Sequence, residues 1–223
     1  MFIGIDGCRK GWIAALIDNQ NKLSLEIITD LAHLKRFSLA TILIDMPIGF
    51  PEKQYRQCEI DARILLGTAR RSSVFFTPHK KACYANSHSE ASSVNRQFIG
   101  KGISIQTWNI CEKIKLLNRF VDENKELHIR ESHPELCFYV LNNYQAFSSK
   151  KSTHAGIADR TEIIAAHAID YLDVIADTMA ATKRSEVKID DMLDATVMAI
   201  RASTCALKQV PANSSYDGHS IFY

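Results

Sequence analysis

The stretch FIGIDGCRKGWIAALI, residues 2–17, opens the chain and organises the rest of it. It predicts two β-strands joined by a tight turn, and the first strand is apolar apart from one carboxylate, Asp6. A buried strand should not carry an acid without a compensating partner. The glycines at positions 4, 7 and 11 clear side chains from around it, so a backbone, metal or phosphate could approach closely. The stretch indicates either a functional site at Asp6 or an acid that only supports a hairpin turn.

The composition is that of a folded protein with a full core. Of 223 residues, 46% are hydrophobic and 23% are charged, which favours one domain over residues 1–223. The formal net charge of +2 is too small to attract nucleic acid by overall charge, so such binding needs a local basic patch. No signal-peptide pattern or membrane-length apolar run is present, which predicts a cytoplasmic protein without a membrane partner.

The cysteines carry no motif for a disulfide framework or a metal knuckle. They are scattered without C-x-x-C spacing, which predicts reduced thiols and fits a cytoplasmic protein. The six are Cys8, Cys58, Cys83, Cys111, Cys137 and Cys205.

The first part of the chain predicts four strands and one short helix. Residues 11–17 and 22–29 continue an antiparallel meander. Residues 30–37 have apolar positions at helical spacing behind a capping Asp. The segment TILIDMPIGFP, residues 41–51, is an apolar strand that ends at Asp45 and is stopped by prolines. Its continuous hydrophobicity is typical of a central parallel strand buried on both faces.

The rest of the chain is predicted to be mainly helical. Gly67 ends one helix, Pro134 starts another, and about 52–103 forms an insertion of helix and loop after the fourth strand. The predicted elements are helix 52–66, extended segment 72–78, helix 104–122, strand 127–131, and helices 135–141, 159–177 and 190–208 before a polar tail.

This order of elements resembles the ribonuclease H-like fold. In that fold the first and fourth strands lie side by side in a mixed five-stranded sheet flanked by helices, which would bring Asp6 and Asp45 together. Two carboxylates repel each other unless a divalent cation lies between them, and oxygen-rich sites suit Mg²⁺ or Mn²⁺. The alternative for Asp45 is a strand-terminal turn before Pro47.

The last predicted helix adds two acids. Asp191 and Asp194 lie three positions apart and share a helix face. Asp190 and Asp191 could also act as cap and first-turn acid. Asp194 lies one turn further in, where a capping role explains it poorly, so it is the third predicted site residue and Asp191 the fourth.

Four segments carry a family resemblance: GIDGCRKGW at 4–12, IDMPIGFP at 44–51, RESHPE at 130–135 and DDMLDA at 190–195. They resemble the blocks of domain-of-unknown-function family 429, the predicted ribonuclease H-like nucleases. The last also resembles the end of RuvC-type Holliday-junction resolvases, in which acids of the first strand, fourth strand and last helix hold two metals. The resemblance implies metal ligands at Asp6, Asp45, Asp191 and Asp194. Those resolvases have a Glu on the fourth strand where this chain has the shorter Asp45, which could alter the metal spacing.

The block RESHPE contains two further candidate catalytic residues, Glu131 and His133. A Glu at a strand end and a His beside the metals could position or deprotonate a water. Alternatively, His133, Pro134 and Glu135 simply start a helix, with Glu135 favourable in its first turn.

Eight basic residues are candidate phosphate contacts, because a guanidinium group fits phosphate oxygens in a fork geometry. For each of them the alternative is a solvated surface position. They are Arg9, Arg56, Arg63, Arg70, Arg71, Lys150, Lys151 and Arg160.

Together these residues predict a ribonuclease H-like α/β fold and a metal-dependent phosphodiester hydrolase that acts by a two-metal mechanism. The expected partner is nucleic acid or a nucleotide. Clustering of the basic residues favours a short footprint, such as a single-stranded end, a flap or a nucleotide-sized ligand, over a long duplex. Two alternatives stay open: a nucleotide hydrolase or phosphotransferase of the actin-like group, and a non-catalytic nucleic-acid-binding or regulatory module. For the oligomeric state, a homodimer is one option.

Overall fold

A five-stranded mixed sheet forms the centre of the protein, in the order β3-β2-β1-β4-β5. This computed structural model describes residues 1–204, 206–213 and 217–223. The pairs β1–β2 and β2–β3 are antiparallel, whereas β4 runs parallel to β1 and β5 parallel to β4. The predicted meander, mixed sheet and pairing of first and fourth strands are confirmed. The strands are β1 (Phe2–Cys8), β2 (Gly11–Ile17), β3 (Leu23–Ile28), β4 (Thr41–Ile44) and β5 (Ile129–Glu131).

Helices flank this sheet, as predicted. A 3₁₀ helix, Leu31–Phe37, begins after Asp30, whose side chain accepts a hydrogen bond from the Ala32 backbone N–H at 2.8 Å. The α-helices of the described residues are α1 (Gln57–Arg70), α2 (Lys80–Cys83), α3 (His88–Ile99), α4 (Ile105–Glu123), α5 (Pro134–Leu141), α6 (His154–His167), α7 (Tyr171–Ala181) and α8 (Ile189–Ser203). None of these helices is both long enough and apolar enough to cross a membrane.

Several element boundaries differ from the prediction. Residues 72–78, predicted as strand-like or extended, begin in a short 3₁₀ turn (Arg71–Ser73) and contain no strand. Side chains hold their backbone: Arg63 donates to the Val74 carbonyl, and Glu59 accepts from the Thr77 N–H. The insertion is more helical than expected, since α2 and α3 occupy much of 80–101. Helix α1 begins at Gln57, five residues later than predicted, and contains a break at Gly67, where φ is 58°.

The C-terminal part differs most. The predicted helix 159–177 is two helices, α6 and α7, which are separated by an extended Ala168. Helix α8 stops at Ser203 because Thr204 is extended and Arg201 holds the following backbone through the Ala206 carbonyl. Cys205, within the predicted last helix, lies outside the described residues. The tail contains a small antiparallel pair, β6 (Gln209–Val210) and β7 (Ile221–Phe222).

Alternate residues of β2 enter two apolar clusters on opposite faces of the sheet. Ile13 packs toward α1 and α5–α8, whereas Trp12 packs toward α4 and the 3₁₀ helix. Helix α8 lies directly on β1 because Gly4 has no side chain: a Cβ there would come within 2.1 Å of the Ala195 carbonyl oxygen. This close packing brings the acids of α8 to the end of β1.

Candidate functional site

Acids line up at the carboxyl ends of the three parallel strands. The last residues paired between the parallel strands are Ile5 of β1, Ile44 of β4 and Glu131 of β5. Asp6 directly follows Ile5, and Asp45 directly follows Ile44. The Asp45 backbone N–H donates to the Ile5 carbonyl at 2.9 Å, which fixes the two acids in neighbouring positions. Ligands of open α/β sheets bind beyond the carboxyl ends of the strands, so these acids lie where a ligand is expected.

Helix α8 supplies the two remaining predicted acids. Asp194 lies one turn into the helix and is only 1% exposed. Asp191 lies on the same face, and its carboxylate accepts a hydrogen bond from the Lys188 backbone N–H at 3.0 Å. Asp191 is therefore a first-turn acid that completes a capping box, in line with the alternative to a site role, while its side chain also lines the cavity.

One cavity of about 330 Å³ collects all the predicted catalytic and metal-binding residues: Asp6, Asp45, Glu131, His133, Asp191 and Asp194. Of the eight predicted phosphate contacts, only Arg56 and Lys151 line this cavity. The other six do not line it: Arg9, Arg63, Arg70, Arg71, Lys150 and Arg160.

The acids of the cavity are held in an environment that opposes their charge. Burial raises the pKa of Asp6 well above its usual value, and the carboxylates of Asp45 and Asp194 raise it further. Burial also raises the pKa of Asp45 and of Asp191, and it raises the pKa of Asp194 to about 6. A set of acids with raised pKa values in one cavity is typical of a functional site.

Lys151 is the cation nearest to these acids. Its Nζ donates to Asp194 Oδ2 at 2.7 Å, although 44% of the Lys151 side chain stays exposed. Burial opposes its charge, but the carboxylates of Asp194, Asp6 and Asp45 outweigh burial and raise the pKa of Lys151. Gly156 of α6 lets the loop that carries Lys151 pack tightly on this helix, because a Cβ on Gly156 would lie 1.9 Å from the Lys150 carbonyl oxygen.

Glu131 is already occupied by a buried network, which argues against the predicted role in positioning water. Its two oxygens each accept from Arg56 at 2.7 Å, and Oε2 also accepts from the Ile48 backbone N–H at 2.7 Å. Arg56 is 1% exposed and donates through Nε to Glu59 at 2.8 Å. The Arg56 guanidinium therefore joins β5 to α1, and we assign it a structural role in place of the predicted phosphate contact.

A second buried pair corrects the prediction for Arg160. Arg160 is fully buried and donates to Glu135 of α5, so it is inaccessible to a phosphate. Arg70 is also buried: its Nε lies 3.7 Å from Glu135 and donates to the Phe147 carbonyl at 3.0 Å. Both arginines hold α5 in place.

His133 is the N-cap of α5, as the alternative interpretation expected. Its Nδ1 accepts from the Glu135 backbone N–H at 3.2 Å, so we assign the proton to Nε2, which lies 3.3 Å from the Ser73 carbonyl oxygen. Both ring nitrogens are therefore engaged, and the imidazole is better placed to fix the segment after α1 than to accept a proton.

The ion pairs leave a net negative cavity. Glu59 and Glu131 pair with Arg56, Glu135 pairs with Arg160, and Asp194 pairs with Lys151. Within the described part of the chain, Asp6, Asp45 and Asp191 have no ion pair. Such a cavity attracts cations.

The donor set suits a hard divalent cation. Asp194 Oδ1 is buried and has no hydrogen-bond partner among residues 1–204, 206–213 and 217–223. In these same ranges, however, no three His, Cys, Asp or Glu side chains converge closely enough to hold a metal ion. Lys151 pairs with Asp194 instead, so ligation of a metal by that carboxylate oxygen would require the ammonium to move.

Sequence reasoning missed several residues of the cavity, and Lys113 and Phe75 are the two that bear on its chemistry. Lys113 of α4 donates to the carbonyls of Cys8 and Gly11 and lies 4.6 Å from the centre of the Trp12 ring, close to the Asp6 hairpin. Phe75 also lines the cavity and is 46% exposed. No motif or hydrophobic pattern in the sequence marks either residue.

Comparisons with known proteins identify a family but no characterised relative. Neither the curated proteins nor the solved structures contain a significant match to this chain. The family model described as Protein of unknown function (DUF429) matches residues 4–214. Because this match covers nearly the whole chain, the protein belongs to the DUF429 family.

Proposed function

We propose that this protein is a metal-dependent phosphodiester hydrolase with a ribonuclease H-like fold. The observation that carries the proposal is the cluster of Asp6, Asp45 and Asp194 in one cavity, with a buried Asp194 oxygen that lacks a hydrogen-bond partner among the described residues. Oxygen-only sites of this kind suit Mg²⁺ or Mn²⁺.

The sheet topology supports the fold part of the proposal. The order β3-β2-β1-β4-β5, in which β2 alone runs opposite to the other four strands, is the arrangement expected for a ribonuclease H-like sheet. Helix α8, the last helix of the described residues, packs on β1 and carries Asp191 and Asp194. Acids on the first strand, the fourth strand and the last helix are the pattern expected of nucleases of this fold.

The acids would hold the metal, and the cations would handle the phosphate. Asp6, Asp45, Asp191 and Asp194 would ligate one or two divalent ions, which when bound activate water and stabilise the negative charge of the transition state. Lys151, released from Asp194, keeps an exposed ammonium beside the cluster and can contact a phosphate oxygen. Lys113 adds a second positive charge at the cavity wall.

A matched pair of variants tests this function. The purified chain would be assayed with Mn²⁺ and Mg²⁺ on bis(p-nitrophenyl) phosphate, single-stranded DNA and single-stranded RNA. We expect Asp6→Asn to remove hydrolysis and Asp190→Asn to retain it, because Asp190 lies outside the cavity lining. Absence of metal-dependent hydrolysis by the parent, or equal activity of the two variants, would contradict the proposal.

A further inference from the structure

Phe75 is an exposed aromatic side chain at the wall of the acid cavity. It is 46% exposed and, of the large hydrophobic residues exposed in the described part of the chain, it is the one that lines this cavity. Single exposed apolar residues are common on protein surfaces and need no explanation by themselves. Phe75 differs from the others in its location at the cavity wall.

The backbone on both sides of Phe75 is anchored. Val74 is 2% exposed and its carbonyl accepts from Arg63, while the preceding Ser73 carbonyl oxygen lies 3.3 Å from His133 Nε2. On the other side, Thr77 is 1% exposed and its backbone N–H donates to Glu59 at 2.8 Å. The segment is therefore fixed by contacts to α1 and α5.

The neighbouring aromatic residue packs its ring against other side chains of the protein. Phe76 stacks on Tyr55 with ring centres 3.9 Å apart, and the Arg63 guanidinium lies 4.7 Å from its centre. These positions are taken, so Phe75 cannot occupy them. Phe75 is therefore exposed because of how the segment is anchored, and the Phe75 ring lies at the cavity wall.

We propose that Phe75 is a stacking platform for a single unpaired base, whose phosphate lies toward Lys151 and the acid cluster. This inference rests on the proposed function and specifies its substrate class: one unstacked nucleotide, either free or at the end of a strand. An aromatic side chain binds any base through its π-face, which suits recognition without sequence preference. A cavity of about 330 Å³ lies at the small end of the range for small-molecule sites and has no room for a duplex.

Nucleotide binding with and without a base tests the platform. We would measure affinities for adenosine 5′-monophosphate and ribose 5-phosphate by calorimetry in Mg²⁺, since neither contains a phosphodiester bond to be cut. The wild type should bind the nucleotide more tightly than the sugar phosphate. Phe75→Ala and Phe75→Leu should weaken nucleotide binding about ten- to a hundredfold, as expected for loss of one stacked base. Phe75→Tyr should retain the affinity, and binding of ribose 5-phosphate should change little.

Tyr84 provides a matched control, because it is an aromatic residue of the same insertion, is 48% exposed and lies outside the cavity lining. Tyr84→Ala should bind both ligands like the wild type. A three-thymidine strand, the same strand with an abasic end and thymidine 5′-monophosphate distinguish the source, and they would be measured in Ca²⁺ with a check that the strands stay intact. Tighter binding of the intact strand than of both other ligands indicates a strand end, and tighter binding of the monophosphate indicates a free nucleotide.

Three results would overturn the platform. One is equal affinity of Phe75→Leu and the wild type for the nucleotide. Another is a shift of Phe75→Ala from dimer to monomer in sedimentation with unchanged nucleotide affinity, which would assign the ring to a protein interface. In either case metal-dependent hydrolysis would still support the proposed function. If no phosphate ligand binds even to the wild type and no hydrolysis occurs, the proposed function and the platform both fail.

Discussion

Lys151 Nζ lies 2.7 Å from Asp194 Oδ2, and the second oxygen of the same carboxylate has no hydrogen-bond partner in the part of the chain that the structure describes. The ammonium therefore acts as counter-ion for the acid cluster. A divalent cation at the same carboxylates would compete with it, since both charges need the same oxygens.

Replacing this lysine should strengthen metal binding. In Lys151→Met a positive charge beside the carboxylates is lost, and we expect the affinity for Mn²⁺ to rise about tenfold, as a charge at this range contributes roughly 1 kcal/mol or more. Titration calorimetry measures the change, and Lys150→Met, which changes an exposed residue outside the cavity lining, is the control. Weaker binding in Lys151→Met than in the control would show that the lysine supports the metal.

Asp194→Asn should leave the metal-free fold intact and raise its stability at alkaline pH. The pKa of Asp194 is raised by burial from 3.8 to about 6, so the stability linked to its protonation is complete below pH 3.8 and is lost as pH rises through about 6. At pH 8 the free energy of unfolding of Asp194→Asn should exceed that of the wild type by roughly 1–3 kcal/mol. At pH 5 this difference in unfolding free energy should be smaller.

Urea unfolding with and without Mn²⁺ checks this prediction, with Asp190→Asn as control. The wild type and the control should gain stability from Mn²⁺, whereas Asp194→Asn should gain little. A variant that is less stable than the wild type at pH 8 without metal would show that the ion pair with Lys151 outweighs the burial of the charge.

Glu131→Gln should act on stability more than on chemistry. Glu131 accepts both Arg56 contacts at 2.7 Å, and removing one partner of a buried ion pair typically costs about 3–5 kcal/mol. Chemical unfolding measures the loss against Glu126→Gln, an exposed position. Unchanged stability together with lost hydrolysis would restore the catalytic role that the sequence suggested.

Gly4→Ala should separate α8 from β1. A Cβ at Gly4 would lie 2.1 Å from the Ala195 carbonyl oxygen, which is backbone and cannot rotate away. We expect a loss of about 3 kcal/mol in unfolding free energy. At Gly7 the atom nearest to an added Cβ belongs to the flexible Lys113 side chain, at 3.3 Å. Gly7→Ala should therefore lose less unfolding free energy than Gly4→Ala. Similar losses in both variants would argue against close packing of α8 as the cause.

The central sheet was predictable because its strands are marked by composition. Continuous apolar residues before Asp45 predicted a buried parallel strand, and the turn after Ile17 predicted the meander. The position of Asp194 at the cavity was predictable for a related reason: an acid one turn inside an otherwise apolar helix face needs an explanation beyond capping. These signals are local, and the structure confirms the elements that carry them.

The partners of the charged residues were not predictable, because they depend on distant parts of the chain. Nothing in the sequence around Arg56 indicates whether its guanidinium contacts a phosphate or Glu131, because Glu131 lies 75 positions away. The break between α6 and α7 at Ala168 has no local marker either, since alanine favours helix. Packing of α7 against β3 is a tertiary contact that periodicity does not reveal.

The central claim, a divalent metal at Asp6, Asp45 and Asp194, is tested most directly by anomalous scattering from crystals soaked in Mn²⁺. Crystals of the wild type should show a strong anomalous peak beside these carboxylates, with Lys151 moved away from Asp194, and crystals of Asp194→Asn should show a weaker peak or none. A wild-type cavity without a peak, with Lys151 still paired to Asp194, would contradict the account.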